Sequence, residues 1–199
     1  MSGPQGHKFT AKLGNDEITF ETGRLAQQAG GAVVVRMGES VLLVDADIRR
    51  PAISQMFRVD HRLGLTDVLA HGVDLGRALM KTDVPRLRLL PVGTQQESLS
   101  ELLGSNQAQE LVREIENRYD DRIVVFDSSP LLGASEAAVL ASLVGQIAVV
   151  VEAGKTPKEV LVEALTALNA SEDQMLGLIY NKNRARKNAR YYSGYHTHG

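Results

Sequence analysis

Two aspartates follow directly on a short apolar run in Val41-Leu-Leu-Val-Asp45-Ala-Asp47-Ile-Arg49-Arg50-Pro51, and a third closes another such run in Ile123-Val-Val-Phe-Asp127-Ser-Ser-Pro130. A hard cation such as Mg²⁺ accepts one or two carboxylates together with phosphate oxygens and water, which acids so placed can supply. In an open α/β sheet, ligands bind outside the carboxyl ends of the strands. Asp45, Asp47 and Asp127 are therefore expected to converge on one crevice, within reach of a common metal. A lone aspartate after a strand more often caps a turn, but the paired arrangement argues for a site. Arg49 and Arg50 either steer phosphate, pair with acids of a neighbouring subunit, or stand as solvated surface charges.

The elements that must position these acids are written as alternating strand and helix patterns. Val41 to Val44, Leu87 to Leu90, Ile123 to Phe126, Ile147 to Val151 and Leu176 to Ile179 are short, apolar and β-rich, as expected for strands covered on both faces. Thr156-Pro157-Lys158-Glu159 has the spacing of a capping box with proline in the first turn, and Val160, Leu161, Ala164, Leu165 and Leu168 follow on one helical stripe. Ser98 with Glu101 offers a second such box. Leu111, Val112 and Ile115 give residues 107–118 an apolar face. Strands alternating with helices imply parallel pairing and a three-layer, mainly parallel α/β sheet. Residues 1–40 are written differently. Phe9 to Phe20 has strand-like spacing around Gly14-Asn15, and Ala32 to Arg36 leads through residues 37–40 into Val41 to Val44 as an apparent hairpin. Residues 1–40 thus read as a β-rich head, 41–182 as an α/β core and 183–199 as a basic, tyrosine-rich tail.

Composition narrows the partners. With 199 residues, 43% hydrophobic and 23% charged, the chain can bury a core of its own. A formal charge of -2 provides no global attraction to nucleic acid or anionic lipid. The absence of cysteine excludes disulfides and thiolate metal sites. No apolar run approaches the roughly 20 residues that span a bilayer, and Met1 to Lys8 lacks the apolar stretch of a signal peptide. The expectation is a cytoplasmic chain that does not insert into a membrane or bind nucleic acid.

The strings LLVDADIRRP and VVFDSSP resemble the Walker A′ and Walker B motifs of the bacterial tyrosine kinases that regulate capsule and exopolysaccharide synthesis. GLTDVLAHG, TDVPRLRLLPVG, SELLGS, VVVEAGKTPKEV and GLIYNK follow in that family's order, so the resemblance covers residues 41–199. It implies a P-loop-NTPase-like fold, ATP and Mg²⁺ as cofactors, Asp45 as the base that takes the tyrosine hydroxyl proton, and Asp47 and Asp127 as metal-holding acids. Asn181 matches a position beside the adenine, and Arg49 would face phosphate. Tyr191, Tyr192 and Tyr195 match the autophosphorylation cluster, behind a run of five cations from Lys182 to Arg190. Relatives of this kind work with a transmembrane polysaccharide co-polymerase at the inner face of the membrane and assemble as homo-oligomers.

One part of the pattern is missing. A P-loop needs G-x-x-x-x-G-K-[ST], whose amides and lysine cradle phosphates, and no such string occurs. Gly154-Lys155-Thr156 has its last three letters, but Val149 stands at the upstream glycine position, and Lys155 reads as a surface residue before a helix. Where that loop is expected, residues 8–44, with GRLAQQAGGAVVVRMG at their centre, resemble the opening of polynucleotide phosphorylase. The first strand, loop and helix unit is thus replaced by an atypical head. Three functions follow: a tyrosine kinase core impaired by the missing Walker A motif, a non-catalytic regulatory or phospho-acceptor subunit, and an RNA-processing fragment derived from the phosphorylase.

Overall fold

A computed structural model describes residues 7–13, 16–22, 33–36, 40–94, 99–118, 122–133 and 135–182. The head holds β1 (His7–Leu13), β2 (Asp16–Thr22) and β3 (Val33–Arg36), paired antiparallel in the order β1-β2-β3. Leu13 opposes Asp16, so β1 and β2 are joined by two residues, as in the tightest hairpins.

The core sheet is built on β4 (Ser40–Asp45), which lies between β6 (Leu87–Leu90) and β7 (Arg122–Asp127), parallel to both. The two-residue β5 (Met80–Lys81) adds antiparallel to β6 and completes the order β5-β6-β4-β7. The hairpin expected between residues 32–36 and 41–44 does not form. β3 pairs with β2, Thr19 opposite Arg36, and both edges of β4 are taken by parallel neighbours. A strand that is apolar on both faces gains most burial in the middle of a sheet. A second, two-stranded parallel sheet contains β8 (Ile147–Glu152) and β9 (Met175–Asn181).

Helices pack against these strands. They are α1 (Ala52–Met56), α2 (Leu65–His71), α3 (Leu75–Ala78), α4 (Leu99–Leu103), α5 (Asn106–Arg118), α6 (Ser135–Ala141) and α7 (Lys158–Leu168). Leu42 and Val44 of β4, both fully buried, pack with Leu65, Leu69, Leu111, Ile115 and Leu140, and Val124 and Phe126 of β7 join the same cluster. Each such side chain contributes about 1.5–3 kcal/mol by leaving water. A separate cluster joins Val149 and Val151 of β8 to Ala141 and Leu168, with Leu161 and Leu165 against it.

Two local expectations change. α7 starts one residue later than the capping box requires: Pro157 is the N-cap, no side chain caps it, and the Thr156 amide donates to the Glu152 carbonyl in the preceding turn. Val160 falls off the buried stripe and is exposed. Nor are all strands covered on both faces, because Val150, Leu178 and Tyr180 are about half exposed, at 48%, 52% and 57%. Ser98 lies outside the described residues.

Candidate functional site

The acids meet because parallel register puts them there. β4 and β7 pair from Ser40 opposite Arg122 to Asp45 opposite Asp127, so two carboxylates leave adjacent strands at the same level, and Asp47 follows one turn of chain later. Asp45 is fully buried. Its Oδ2 accepts from the Ser54 amide at 2.7 Å and the Ser54 hydroxyl at 2.6 Å, while its Oδ1 is approached by the Asp47 amide at 3.4 Å. The Ser54 hydroxyl in turn accepts from the Val92 amide at 2.9 Å, which leaves its one proton for Asp45. Burial raises the Asp45 pKa, against the opposing effect of the Ser54 bonds. The Asp47 Oδ1 accepts from the Arg50 amide at 3.1 Å.

Asp127 is in a different state. Burial first, then repulsion from Asp45 and Asp47, lifts its pKa from 3.8 to about 6. A cation between Asp47 and Asp127 would relieve that repulsion, and both offer the hard oxygen donors that Mg²⁺ prefers. The donor set therefore fits two protein carboxylates completed by phosphate and water. Among the described residues no group of three or more acidic or imidazole side chains is placed to hold one metal ion, and both Ser54 bonds go to one oxygen of Asp45.

The loop after β6 holds Ser54 and is itself clamped. Asp67 of α2 accepts from the amides of Gly64 and Thr94, at 2.9 and 3.0 Å, and from the Thr94 hydroxyl at 2.6 Å. The Thr66 hydroxyl donates to the Thr94 carbonyl at 2.6 Å. A Cβ at Gly64 would strike the Pro91 carbonyl and the Gly93 amide, and Gly93 has φ +94. Burial opposes the charge on Asp67, but the Thr94 and Gly64 bonds hold its carboxyl below the usual range.

No protein-family model matches the chain. Over 170 residues it is 33% identical to the tyrosine-protein kinase YwqD of Bacillus subtilis, covering 85% of this chain and 71% of that one. The chain belongs to the bacterial tyrosine kinases. The aligned share exceeds what residues 41–199 can supply, so the likeness runs back into the head. The tyrosine-protein kinase CpsD of Streptococcus agalactiae is 29% identical over 150 residues, 75% of this chain and 65% of that relative. Among solved structures, the VpsO kinase domain superposes with TM-score 0.67 at 29% identity, covering 73% of this chain and 71% of that domain. The kinase domain of Escherichia coli ETK gives 0.68 at 27% identity, covering 79% and 61%. These likenesses bear out the mainly parallel, kinase-like α/β fold.

The other candidate residues of this bacterial tyrosine kinase are distributed unevenly. Arg49 is exposed and reaches Glu136 of α6 at 3.4 Å, whose other carboxylate oxygen is buried without a partner. Asn181 is buried at the end of β9, in the other sheet, where its side chain accepts from the Lys182 amide at 2.9 Å. Lys155 is a surface residue paired with Glu152 at 3.0 Å. Tyr191, Tyr192 and Tyr195 lie outside the described residues. The sequence reading missed Ser54 and Glu136. Ser54 meets Asp45 across nine positions and Glu136 meets Arg49 across 87, separations with no periodic pattern to betray them.

Proposed function

We propose that the chain is a tyrosine kinase-like core that holds the acidic half of a Mg-ATP site and offers its tail as a phosphate acceptor, and that alone it transfers phosphate weakly. The observation that carries this reading is the level placement of Asp45 and Asp127 on adjacent parallel strands, with Asp47 beside them. Phosphoryl transfer needs positioned groups and neutralised charge more than covalent chemistry from the protein. Asp47 and Asp127 would hold Mg²⁺, which when bound supplies positive charge to phosphate oxygens. Asp45, with Oδ2 committed to Ser54, has Oδ1 left to receive a tyrosine proton. Arg49 and Asn181 stand as phosphate- and adenine-side candidates. Nothing in the sequence supplies the P-loop amides and lysine that offset repulsion between carboxylates and a triphosphate.

Likeness to the bacterial tyrosine kinases supports a role in capsule or exopolysaccharide synthesis, and the same proposal has the chain acting from the cytoplasm with a transmembrane co-polymerase as activator and with further copies of itself. A second reading, a phospho-acceptor subunit served by an intact kinase, is favoured by the missing Walker A string together with the three tail tyrosines. Incubation with an active bacterial tyrosine kinase and Mg-ATP, followed by mass spectrometry, is expected to place phosphate on Tyr191, Tyr192 or Tyr195. Each phosphate would add about -1.5 to -2 charge beside the basic run. An unmodified tail would remove the acceptor role. For the metal, Mn²⁺ affinity is expected to fall about tenfold in Asp127→Asn, and an unchanged affinity would remove Asp127 from the site.

A further inference from the structure

A basic surface borders the acids. Residues 48–63 hold Arg49, Arg50, Arg58 and Arg62 against a single acid, Asp60, on a chain whose formal charge is -2. Arg49 reaches Glu136, and Asp60 lies 3.8 Å from its neighbour His61. Arg50, Arg58 and Arg62 are exposed, and among the described residues no acid pairs with any of them.

The backbone of this segment is fastened to the acids. The Arg50 amide donates to Asp47, and Ser54, whose amide and hydroxyl hold Asp45, accepts at its carbonyl from the Val59 amide at 2.8 Å. The Arg58 amide donates to the Gln55 carbonyl at 3.0 Å. These two bonds close α1 as a Schellman motif, in which the residue after the cap is ordinarily glycine because it must be left-handed. Here that residue is Arg58, at φ +57. A side chain is strained in this region, and strain of this kind is concentrated at functional sites. Glycine would close the turn with less strain; what arginine adds is its charge.

We infer that Arg50, Arg58 and Arg62 form a docking face for an acidic, tyrosine-bearing segment of another protein, presented to Asp45 and Asp47. This rests on the proposed kinase-like reading and names its substrate class. Charge complementarity selects the occupant, because guanidinium groups take carboxylates in bidentate pairs and these three are not otherwise engaged. Asp45 and Asp47 are buried whereas the arginines are exposed, so acids on an incoming segment meet the arginines first. Met56, 48% exposed at the end of α1 and two residues from Ser54, offers a thioether for the tyrosine ring. The chain's own tail is the wrong occupant. Lys182, Arg184, Arg186, Lys187 and Arg190 precede Tyr191, Tyr192 and Tyr195, so the tail brings like charge to the face.

The probe is a fluorescein-labelled peptide with one tyrosine among glutamates, titrated against the full chain at low salt and read by anisotropy. It is expected to bind about tenfold more tightly, or better, than the same peptide with lysines in place of glutamates. Replacing its tyrosine by serine should weaken it about threefold. Arg58→Gly should weaken binding about fivefold or more while the melting temperature holds or rises, because glycine adopts the left-handed turn without strain. Arg62→Ala, at an exposed position, should weaken it likewise. Equal affinity for the acidic and the lysine peptide, or undiminished binding in both variants, would overturn the dock, and indifference to the tyrosine would overturn its place on Met56. Tighter binding of phosphatidylglycerol vesicles through the same arginines would overturn the peptide in favour of a membrane surface. Arginine-dependent peptide binding together with an Mn²⁺ affinity unchanged in Asp127→Asn upholds the dock and removes the kinase-like reading on which its substrate role rests.

Discussion

Asp127 and Asp67 are both shielded carboxyls whose surroundings push them in opposite directions, so they give opposite dependences of stability on pH. The folded pKa of Asp127 is raised from 3.8 to about 6 by burial and by its acidic neighbours. The folded state therefore binds its proton more tightly than the unfolded state, and the stability this gives is complete below about pH 3.8 and lost as pH rises through about 6. Asp127→Asn should be more stable than the parent at pH 7.5, by roughly 1–3 kcal/mol allowing for partial exposure. That advantage should shrink on acidification and vanish near pH 4. Urea unfolding across this range checks it, and an equal or lower midpoint for the variant at pH 7.5 would contradict the crowding of the three acids. Asp67 has a lowered pKa, so its contribution is present above the ordinary carboxylate range and lost as pH falls through the folded value. Asp67→Asn should cost about 1–3 kcal/mol at neutral pH, with a difference from the parent that narrows in acid.

At the scale of elements, the position of Asp45 depends on the loop after β6. The Asp67 clamp fixes residues 91–94, the Val92 amide fixes the Ser54 hydroxyl, and Ser54 fixes Asp45. Gly64 lies against the Pro91 carbonyl with no room for a methyl group, so Gly64→Ala must displace this loop. A loss of about 2–4 kcal/mol is expected, read by thermal unfolding, and a fold unaffected by the methyl would show that the contact is not tight. Little of this chain of contacts was legible beforehand. The five core strands and the apolar faces of α5 and α7 were, because Leu111 and Ile115, or Ala164 and Leu168, recur at the helical period. The carboxyl-end placement of Asp45 and Asp127 followed from apolar runs that stop at an acid. The partners of Ser54, Thr94 and Glu136 did not, because each contact is made by chain reversal. β3 was misassigned for a related reason: Val33 to Arg36 is apolar enough to suit either neighbour, and only the occupation of both edges of β4 decides between them.

Across the whole molecule, the two parallel sheets, the shared helix α6 and the acids at the carboxyl ends are the frame on which the proposed nucleotide site rests. Among the described residues no helix is long and apolar enough to cross a membrane. The family likeness to YwqD, CpsD, VpsO and ETK accounts for the fold, and the missing G-x-x-x-x-G-K-[ST] string is the ground for the proposed weak activity. Carboxylates alone hold a metal but repel a triphosphate; amides and a lysine are what turn that balance toward binding. Isothermal calorimetry of the isolated chain with Mg-ATP tests this most directly. The account predicts a dissociation constant of about 1 mM or weaker, equivalent to no more than about 4 kcal/mol of binding free energy. A value of about 1 μM, near 8 kcal/mol, would contradict it and show that the phosphate is gripped by groups already present in this chain.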